Sequence, residues 1–333
     1  MTHTVKEIGR LAGVSPATVS RVLNGSGAVA PDKRERVLAA LEQLNDPRTA
    51  RRSAARRSSI GVLLPPNPVC DAHTVLQKLS VLSSRMPRRW NLLLLPPETL
   101  PLELEARHLR GELAGLLLFG HEADSPELAA VLKRIPHLRL NSHRGSGADQ
   151  TTFMGNEFAG RIAARYLRDS GCKRCAVLST SSENPGFAGR VSGFRFELFA
   201  AEASCETIEL SIPQEVRGFE SLSDAEFERT LEQALPAIQS GEIDGLFSPE
   251  ERMTALLCRV FVRRGIAVRP RLVSCNHTPE FFAGIYPRPA SIDLGPRMLA
   301  ELALNELMRR ISGEEPRADH IAVIVTPQLV PGE

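Results

Sequence analysis

Long apolar runs are missing from this 333-residue sequence. The longest, such as LLLLPP and AGLLLFG, have the length of a strand, far below the roughly 20 apolar residues that a membrane-spanning helix requires. The N-terminal segment also lacks the hydrophobic region of a secretory signal peptide. We therefore expect neither a membrane protein nor an exported one.

Catalytic signatures are also missing. The sequence has no G-x-S-x-G, no phosphate-binding P-loop and no H-E-x-x-H, motifs that place a nucleophile, a phosphate or a zinc ion. Its six cysteines are scattered, which fits reduced thiols better than a disulfide framework. Cys172 and Cys175 form a CxxC, which is either a redox pair, half of a zinc site or a turn leading to a buried strand residue, and the last is favoured. We expect no enzymatic activity, no cofactor and no bound metal.

Positive charge is concentrated near the N-terminus. Residues 1–59 contain 11 Lys or Arg and 5 Asp or Glu, a formal charge of +6, so the remainder carries −4 to reach the total of +2. A basic segment on a mildly acidic body is expected when only that segment touches nucleic acid. The alternative is a solvated face, but the basic segment coincides with a helix-turn-helix pattern.

That pattern is the stretch TVKEIGRLAGVSPATVSRVLN, residues 4–24. Thr4 with Glu7 three positions later forms a capping box, and Gly13 ends the first helix. Ser15 followed by proline is typical of a second helix start. The predicted apolar faces are Ile8, Leu11 and Ala12 in the first helix and Val19, Val22 and Leu23 in the second.

The outer face of the second helix fits a DNA major groove. Ala17 suits a thymine methyl, Thr18 a base or a phosphate, and Arg21 a guanine or a phosphate. A third helix, predicted from Pro31 to Leu44, completes a small domain, although a helical hairpin inside a larger core would have the same outline. The predicted DNA contacts of this domain are Thr4, Ser15, Pro16, Ala17, Thr18, Ser20, Arg21 and Asn24.

The run AGVSPATVSRVLNG, followed by the third helix, closely resembles the N-terminal domain of the lactose-repressor (LacI/GalR) family of bacterial transcription regulators. The match is dense over residues 3–45. It implies a DNA-binding domain over residues 1–46.

The next segment departs from that family. Residues 47–59, PRTARRSAARRSS, contain five arginines and no Leu, Ile, Val, Phe or Met. In the family, this place holds a hinge helix whose leucine enters the minor groove and bends the DNA. Here Ser53 takes the leucine position. Arg51 and Arg52 could still enter a narrow minor groove or bind phosphates; the alternative is a linker with solvated arginines.

From Ile60 onward, short apolar runs alternate with helix-compatible stretches, as in parallel sheets covered by helices. The runs fall into two sets, which indicates two α/β lobes facing each other across a cleft. The predicted strands are 60–65, 90–96, 114–120, 137–141, 175–180, 205–210, 245–249 and 271–276; the predicted helices are 72–85, 103–113, 157–169, 189–201, 224–240 and 252–264. The body then covers residues 60–333, with lobe 1 at about 60–155 plus 288–317 and lobe 2 at about 156–287 plus 318–333.

The family resemblance extends along the body with lower fidelity. IGVLLPPNP resembles the start of the family's effector-binding domain, and VTPQLVPGE resembles its final strand. FAGRVSGF, GLFSPEE and SCNHTP lie where the family has R-x-x-GF, A-N-D and G-F-D-D-T-P. The resemblance implies an all-α three-helix head joined to an α/β two-lobed body similar to periplasmic binding proteins, with an effector at the carboxyl ends of the strands.

Five residues are predicted to bind that effector. Arg190 matches the family arginine that reaches the effector, and its donors suit hydroxyls, phosphates or carboxylates; the alternative is a surface arginine. Asn276 replaces a family aspartate, so hydrogen bonding is kept while charge is lost. Glu250, preceded by proline, stands where the family has Asn-Asp. Asn67 and His121 follow predicted strands and are equally well explained as polar loop residues.

Taken together, these features imply a cytoplasmic, nucleoid-associated regulator, a repressor by analogy with the family, controlled by a small molecule such as a sugar or related metabolite. A homodimer on a near-palindromic double-stranded operator is expected, because one head covers too few base pairs for specificity. One Trp and two Tyr leave few rings for a sugar to pack on. Two alternatives stay open: an architectural or effector-independent DNA-binding regulator with a vestigial cleft, and a solute-binding protein.

The hinge sequence leads to a prediction about DNA bending. Because serine is too small and polar to wedge base steps apart, the bound DNA should be bent less than by relatives that keep the leucine, and binding should depend strongly on salt. A phased-bending gel measures the angle, and a sharp kink at the centre of the site would contradict the prediction.

Overall fold

The computed structural model describes residues 4–24, 29–44, 58–64, 72–119, 125–140, 152–180, 185–210, 223–267, 269–314 and 323–333. The head contains three helices, α1 (Val5–Ala12), α2 (Pro16–Asn24) and α3 (Pro31–Gln43), as the sequence predicts. Within the described ranges, no helix is long and apolar enough to cross a membrane.

The ends of α1 follow the predicted capping chemistry. The hydroxyl of Thr4 accepts from the N–H of Glu7 at 3.3 Å, and the Glu7 carboxylate accepts from the N–H of Thr4 at 2.7 Å. Gly13 ends the helix in the left-handed conformation, with φ of 61°, where glycine meets no Cβ penalty. Both predictions are confirmed.

The apolar face of α1 differs from the prediction in one residue. Leu11 is 47% exposed, whereas Ile8 and Ala12 are buried with Val5 packed against them. Successive helical residues are rotated by about 100°, so Leu11, next to Ala12, points away from the contact with α2 and α3. The prediction for Leu11 was wrong.

Lobe 1 contains a parallel sheet in the order β2-β1-β3-β4. Its strands are β1 (Ser59–Leu63), β2 (Asn91–Leu95), β3 (Leu113–Leu118) and β4 (His137–Arg139), and its helices are α4 (Ala72–Arg85), α5 (Pro101–Leu109) and α6 (Pro126–Leu132). The helix predicted at 103–113 is instead α5, because Gly111 turns the chain with φ of 70° and β3 begins at Leu113. A short strand, β5 (Thr152–Met154), follows.

Lobe 2 contains a six-stranded sheet. Its strands are β6 (Arg174–Thr180), β7 (Ser204–Leu210), β8 (Gly245–Phe247), β9 (Arg271–Cys275), β10 (Ala290–Asp293) and β12 (Gln328–Val330). They lie in the order β12-β10-β9-β8-β6-β7, with only β12 antiparallel to its neighbour among these strands.

The helices of lobe 2 are α7 (Asn156–Asp169), α8 (Pro185–Ala200), α9 (Asp224–Thr230), α10 (Leu235–Gln239) and α11 (Glu251–Arg263). The helix predicted at 224–240 is therefore two helices. Pro236 lies in the first turn of α10, where its missing N–H is tolerated; inside one continuous helix the same residue would remove a hydrogen bond.

Two segments late in the sequence contact lobe 1, although they follow most of the strands of lobe 2. Helix α12 (Pro296–Ile311) packs against α4, β3 and β4 of lobe 1, and β11 (Val323–Val325) pairs in parallel with β5. Strand β10 pairs with β9 in the sheet of lobe 2. The predicted return to lobe 1 at residue 288 is thus too early, because the chain leaves the second sheet only after Asp293.

Helices α7 and α8 cross with their backbones almost in contact. A Cβ on Gly160 would lie 2.0 Å from the carbonyl oxygen of Arg190, and a Cβ on Gly193 would lie 2.0 Å from the carbonyl oxygen of Glu157. These atoms belong to rigid backbone, so neither glycine can gain a side chain unless the helices separate. The crossing fixes the first turns of α7 and α8 relative to each other.

Gly193→Ala should destabilise the protein despite the better helix propensity of alanine. Overpacking typically costs about 1–3 kcal/mol, and more where backbone must move. Gly189→Ala, in the same helix, is the matched control, because its Cβ would meet a side-chain atom, Asn156 Cβ, at 3.3 Å and no backbone carbonyl at 2.0 Å. Urea unfolding of the natural protein and of both variants gives the midpoints, and a Gly193→Ala midpoint equal to that of the natural protein would show that the crossing tolerates a side chain.

Candidate DNA-binding surface and effector site

The second helix of the head begins at a side-chain cap. The hydroxyl of Ser15 accepts from the N–H of Thr18 at 3.1 Å and lies 2.9 Å from the Thr18 hydroxyl. Ser15 therefore has the predicted capping role, and Thr4 has the corresponding role in α1. Whether these hydroxyls also contact DNA stays a prediction.

The burial of α2 separates an inner face from an outer one. Val19 and Val22 are buried in the small core of the head. Pro16, Ala17 and Arg21 are exposed, and Thr18 and Ser20 are half-buried. The structure therefore brings the predicted base-contacting residues onto one exposed surface. The side chain of Asn24, and both Arg51 and Arg52, lie outside the described residues.

Gly9 is a residue of the head that sequence reasoning missed. A Cβ there would lie 2.9 Å from the carbonyl oxygen of Val14, so the glycine lets α1 approach the turn that leads into α2. The sequence signal was a glycine inside a predicted helix, which often marks a close packing contact.

In the body, Arg190 lies in the second turn of α8 and is only 4% exposed. Its Nε donates to Asn156 Oδ1 at 2.9 Å and its Nη1 donates to the carbonyl oxygen of Pro249 at 2.5 Å. The guanidinium also lies 5.3 Å from the centre of the Phe187 ring. Pro249 follows β8, so Arg190 is held at the carboxyl edge of the second sheet, and the surface-arginine alternative is wrong.

Asn276 follows β9, the strand beside β8, and is 8% exposed. Its φ of 108° and the φ of 54° at His277 are values that non-glycine residues seldom adopt. Thr278, the next residue, is also buried, and its hydroxyl has no hydrogen-bond partner among the described residues. The parallel strands place this turn near Pro249 and hence near Arg190.

Glu250 is the N-cap of α11. Its carboxylate accepts from the N–H of Met253 at 3.0 Å, and the side chain is buried. This contact gives Glu250 a structural role that the sequence analysis did not assign, while effector binding by Glu250 stays a prediction. Asn67 and His121 lie outside the described residues.

Two further polar residues at the carboxyl edges were missed. Asn156 begins α7 and binds Arg190, a partner 34 positions away. Lys78, on α4, is fully buried; its Nζ donates to the carbonyl oxygen of Leu140 at 3.3 Å and lies 5.6 Å from the centre of the Phe119 ring. Phe119 and Leu140 follow β3 and β4, so Lys78 lies at the carboxyl edge of lobe 1. No pattern in the neighbouring sequence marks Asn156 or Lys78 as a residue of a site.

The CxxC pair has the character expected of structural cysteines. Cys175 is buried and Cys172 half-buried, and burial raises the pKa of the Cys172 thiol. Burial also raises the pKa of Cys275 to about 11. A raised pKa lowers the thiolate fraction at neutral pH and with it the reactivity of the sulfur.

Comparison with known proteins agrees with this architecture. Residues 4–45 match the model of the lacI family of bacterial regulatory proteins. The HTH-type transcriptional repressor PurR of Haemophilus influenzae (strain PittGG) is 26% identical over 351 residues, which cover 98% of this chain and 97% of PurR. The ribose operon repressor of Bacillus subtilis (strain 168) is 49% identical over 65 residues, 19% of this chain and 20% of the repressor.

A solved complex of the transcriptional regulator CelR with cellobiose has the same overall fold. It superposes with a TM-score of 0.59 at 22% identity and covers 99% of both chains.

A helix-turn-helix head with an exposed recognition face, joined to a two-lobed α/β body, defines a DNA-binding transcription regulator. Its head, residues 4–45, matches the LacI-family domain, and the chain as a whole is similar to the repressor PurR and to LacI-family regulators of known structure.

The outer face of α2 leads to a prediction about sequence recognition. Arg21 is exposed and forms no ion pair within the described part of the chain, so its guanidinium is available to DNA. Arg21→Ala should cost about 1–3 kcal/mol of binding if it reads a base. The measurement is fluorescence anisotropy on a site selected from random-sequence DNA and on non-specific DNA.

Arg10→Ala is the matched control, since Arg10 is an exposed arginine on α1. A base contact predicts a loss confined to the selected site, whereas a phosphate contact predicts equal losses on both DNAs. Unchanged binding of Arg21→Ala would exclude both roles.

Proposed function

We propose that this chain is a repressor that binds a near-palindromic operator as a homodimer and responds to a small polar effector at the carboxyl edges of its two lobes. The DNA contacts are assigned to Thr4, Ser15, Pro16, Ala17, Thr18, Ser20, Arg21 and Asn24, with Arg51 and Arg52 in the hinge. The observation that carries the effector assignment is the buried guanidinium of Arg190.

Arg190 is suited to a ligand because its described partners are neutral oxygens. Asn156 Oδ1 and the Pro249 carbonyl fix its orientation without a carboxylate that would neutralise its charge. A guanidinium has five N–H donors, so two fixed hydrogen bonds leave others for hydroxyl, carboxylate or phosphate oxygens. Removing a charge from water is costly unless it is well paired, which favours a site whose pairing is completed by a ligand.

Asn276 supports the same location from the neighbouring strand. Its amide both donates and accepts hydrogen bonds, so it suits a hydroxyl or a heterocycle. Lys78 places a further polar side chain at the corresponding edge of lobe 1. The relatives support a metabolite of modest size, since CelR was solved with cellobiose.

Control of DNA binding is proposed to follow from a population shift. A ligand shifts the balance between two arrangements of the lobes only by the difference in its affinity for them. Contacts to Asn276 and Arg190 on lobe 2 and to lobe 1 on the other side would supply that difference. The spacing of two heads on the operator then changes with the lobe arrangement.

The effector assignment is tested by a thermal-shift screen against monosaccharides, disaccharides, uronic acids, sugar phosphates and nucleobases. A ligand at one hundred times its dissociation constant stabilises the folded state by about 2.7 kcal/mol. Arg190→Ala should abolish that shift. Arg168→Ala, which removes an exposed arginine at the opposite end of α7 from Asn156, should keep it.

The other outcomes separate the alternatives. A shift that survives Arg190→Ala would place the ligand elsewhere. The absence of a thermal shift with every compound of the panel, with DNA binding intact, would support an effector-independent regulator. A ligand response without any DNA binding would favour a solute-binding protein.

A further inference from the structure

The turn after β9 has backbone φ angles that its residues seldom adopt. Asn276 and His277 have φ values of 108° and 54°, and neither is glycine. Such conformations persist only where the surrounding contacts determine them, and they concentrate at ligand-binding sites. The contacts that hold this turn are therefore part of the candidate site.

Three successive backbone N–H groups of the turn are each bound by another element. The N–H of Asn276 donates to the carbonyl oxygen of Ile292 at 2.9 Å. The N–H of His277 donates to the hydroxyl oxygen of Ser291 at 3.2 Å. The N–H of Thr278 donates to a carboxylate oxygen of Glu251.

Glu251 connects these contacts. One carboxylate oxygen accepts from Thr278, and the other accepts from the hydroxyl of Ser291, which in turn receives the N–H of His277. One carboxylate on α11 thus fixes two of the three N–H groups, directly or through Ser291. Glu251 is 1% exposed, so water does not substitute readily for these bonds.

We propose that Glu251 is a positioning residue for effector recognition: its buried carboxylate holds residues 276–278 in the conformation that presents Asn276 to the ligand. The proposal rests on the proposed function, because it takes Asn276 to contact the effector. Glu251 acts through the turn and does not itself touch the ligand.

The direct test is amide hydrogen exchange of the ligand-free full-length protein, followed at residues 276–278. Glu251→Ala should raise exchange of this turn at least tenfold, with little change in distant elements. Exchange of the turn in Glu251→Gln should lie between that in the natural protein and that in Glu251→Ala, because a glutamine amide has one acceptor oxygen where the carboxylate has two. Glu306→Gln is the matched control: Glu306 is also buried, at 4% exposure, and binds Arg309 in α12.

Unchanged exchange at 276–278 in Glu251→Ala would overturn the proposal, whether or not an effector is known. A uniform rise across the protein in Glu251→Ala, matched by Glu306→Gln, would overturn it as well, since the carboxylate would then serve only general stability. If Glu251→Ala fails to fold, Glu251→Gln and Ser291→Ala supply the same readout with a smaller change.

Ligand affinity gives a second readout, with cellobiose and D-ribose as probes in titration calorimetry. For a probe that binds the natural protein, Glu251→Ala should weaken binding at least tenfold, whereas Glu306→Gln should leave it unchanged. Intact affinity in Glu251→Ala would overturn the positioning role. Intact affinity in Arg190→Ala would instead contradict the proposed effector site, and if neither probe binds, the exchange experiment alone decides the role of Glu251.

Discussion

The near-contact between α7 and α8 is the constraint on which the second lobe depends. Gly160 and Gly193 remove the side chains that would keep the helices apart, and each is opposed by a backbone carbonyl of the other helix. This approach brings Asn156, at the start of α7, within 2.9 Å of Arg190 on α8. A packing feature without polar chemistry therefore determines where the buried guanidinium lies.

The polar groups of the candidate site are each held by residues from other elements. Arg190 is fixed by the first residue of α7 and by the backbone after β8, and the turn at Asn276 is fixed by α11 and β10. Buried polar groups are stable when their hydrogen bonds are satisfied and costly when they are not. A network of this kind gives the candidate site a defined geometry, which would lower the ordering cost of the proposed ligand binding.

Much of the fold could be predicted because its signals are local. The strand runs, the capping box at Thr4, the cap at Ser15 and the helix at 72–85 each depend on residues a few positions apart. The errors arose where contacts between residues distant in the sequence decide burial or secondary structure. Leu11 was misplaced because the position of α3 selects the buried face of α1. Strands β5, β10 and β11 and helix α12 were not predicted as such, since the contacts that define them are with residues distant in the sequence: β5 pairs with β11, β10 pairs with β12, and α12 packs on lobe 1.

The residues of the candidate site also divide into those with a signal in the sequence and those defined by distant contacts. Arg190 was found through resemblance to a family motif, and its burial and bonding could not be read from the sequence. Asn156, Lys78 and Glu251 were missed because each binds a partner far along the chain. An asparagine at a helix start, a lysine on a helix and a glutamate in a first turn are all ordinary in local context.

The late position of α12 has a consequence for synthesis. This helix packs on lobe 1, yet it is encoded after β10, the fifth strand along the chain in the sheet of lobe 2. A growing chain leaves the ribosome with its N-terminal part first, so the apolar surface of α4 and β3 that α12 covers stays open while most of lobe 2 is made. The first lobe to emerge is therefore completed only after five strands of lobe 2 have been made, and the surface that α12 covers remains exposed in that interval.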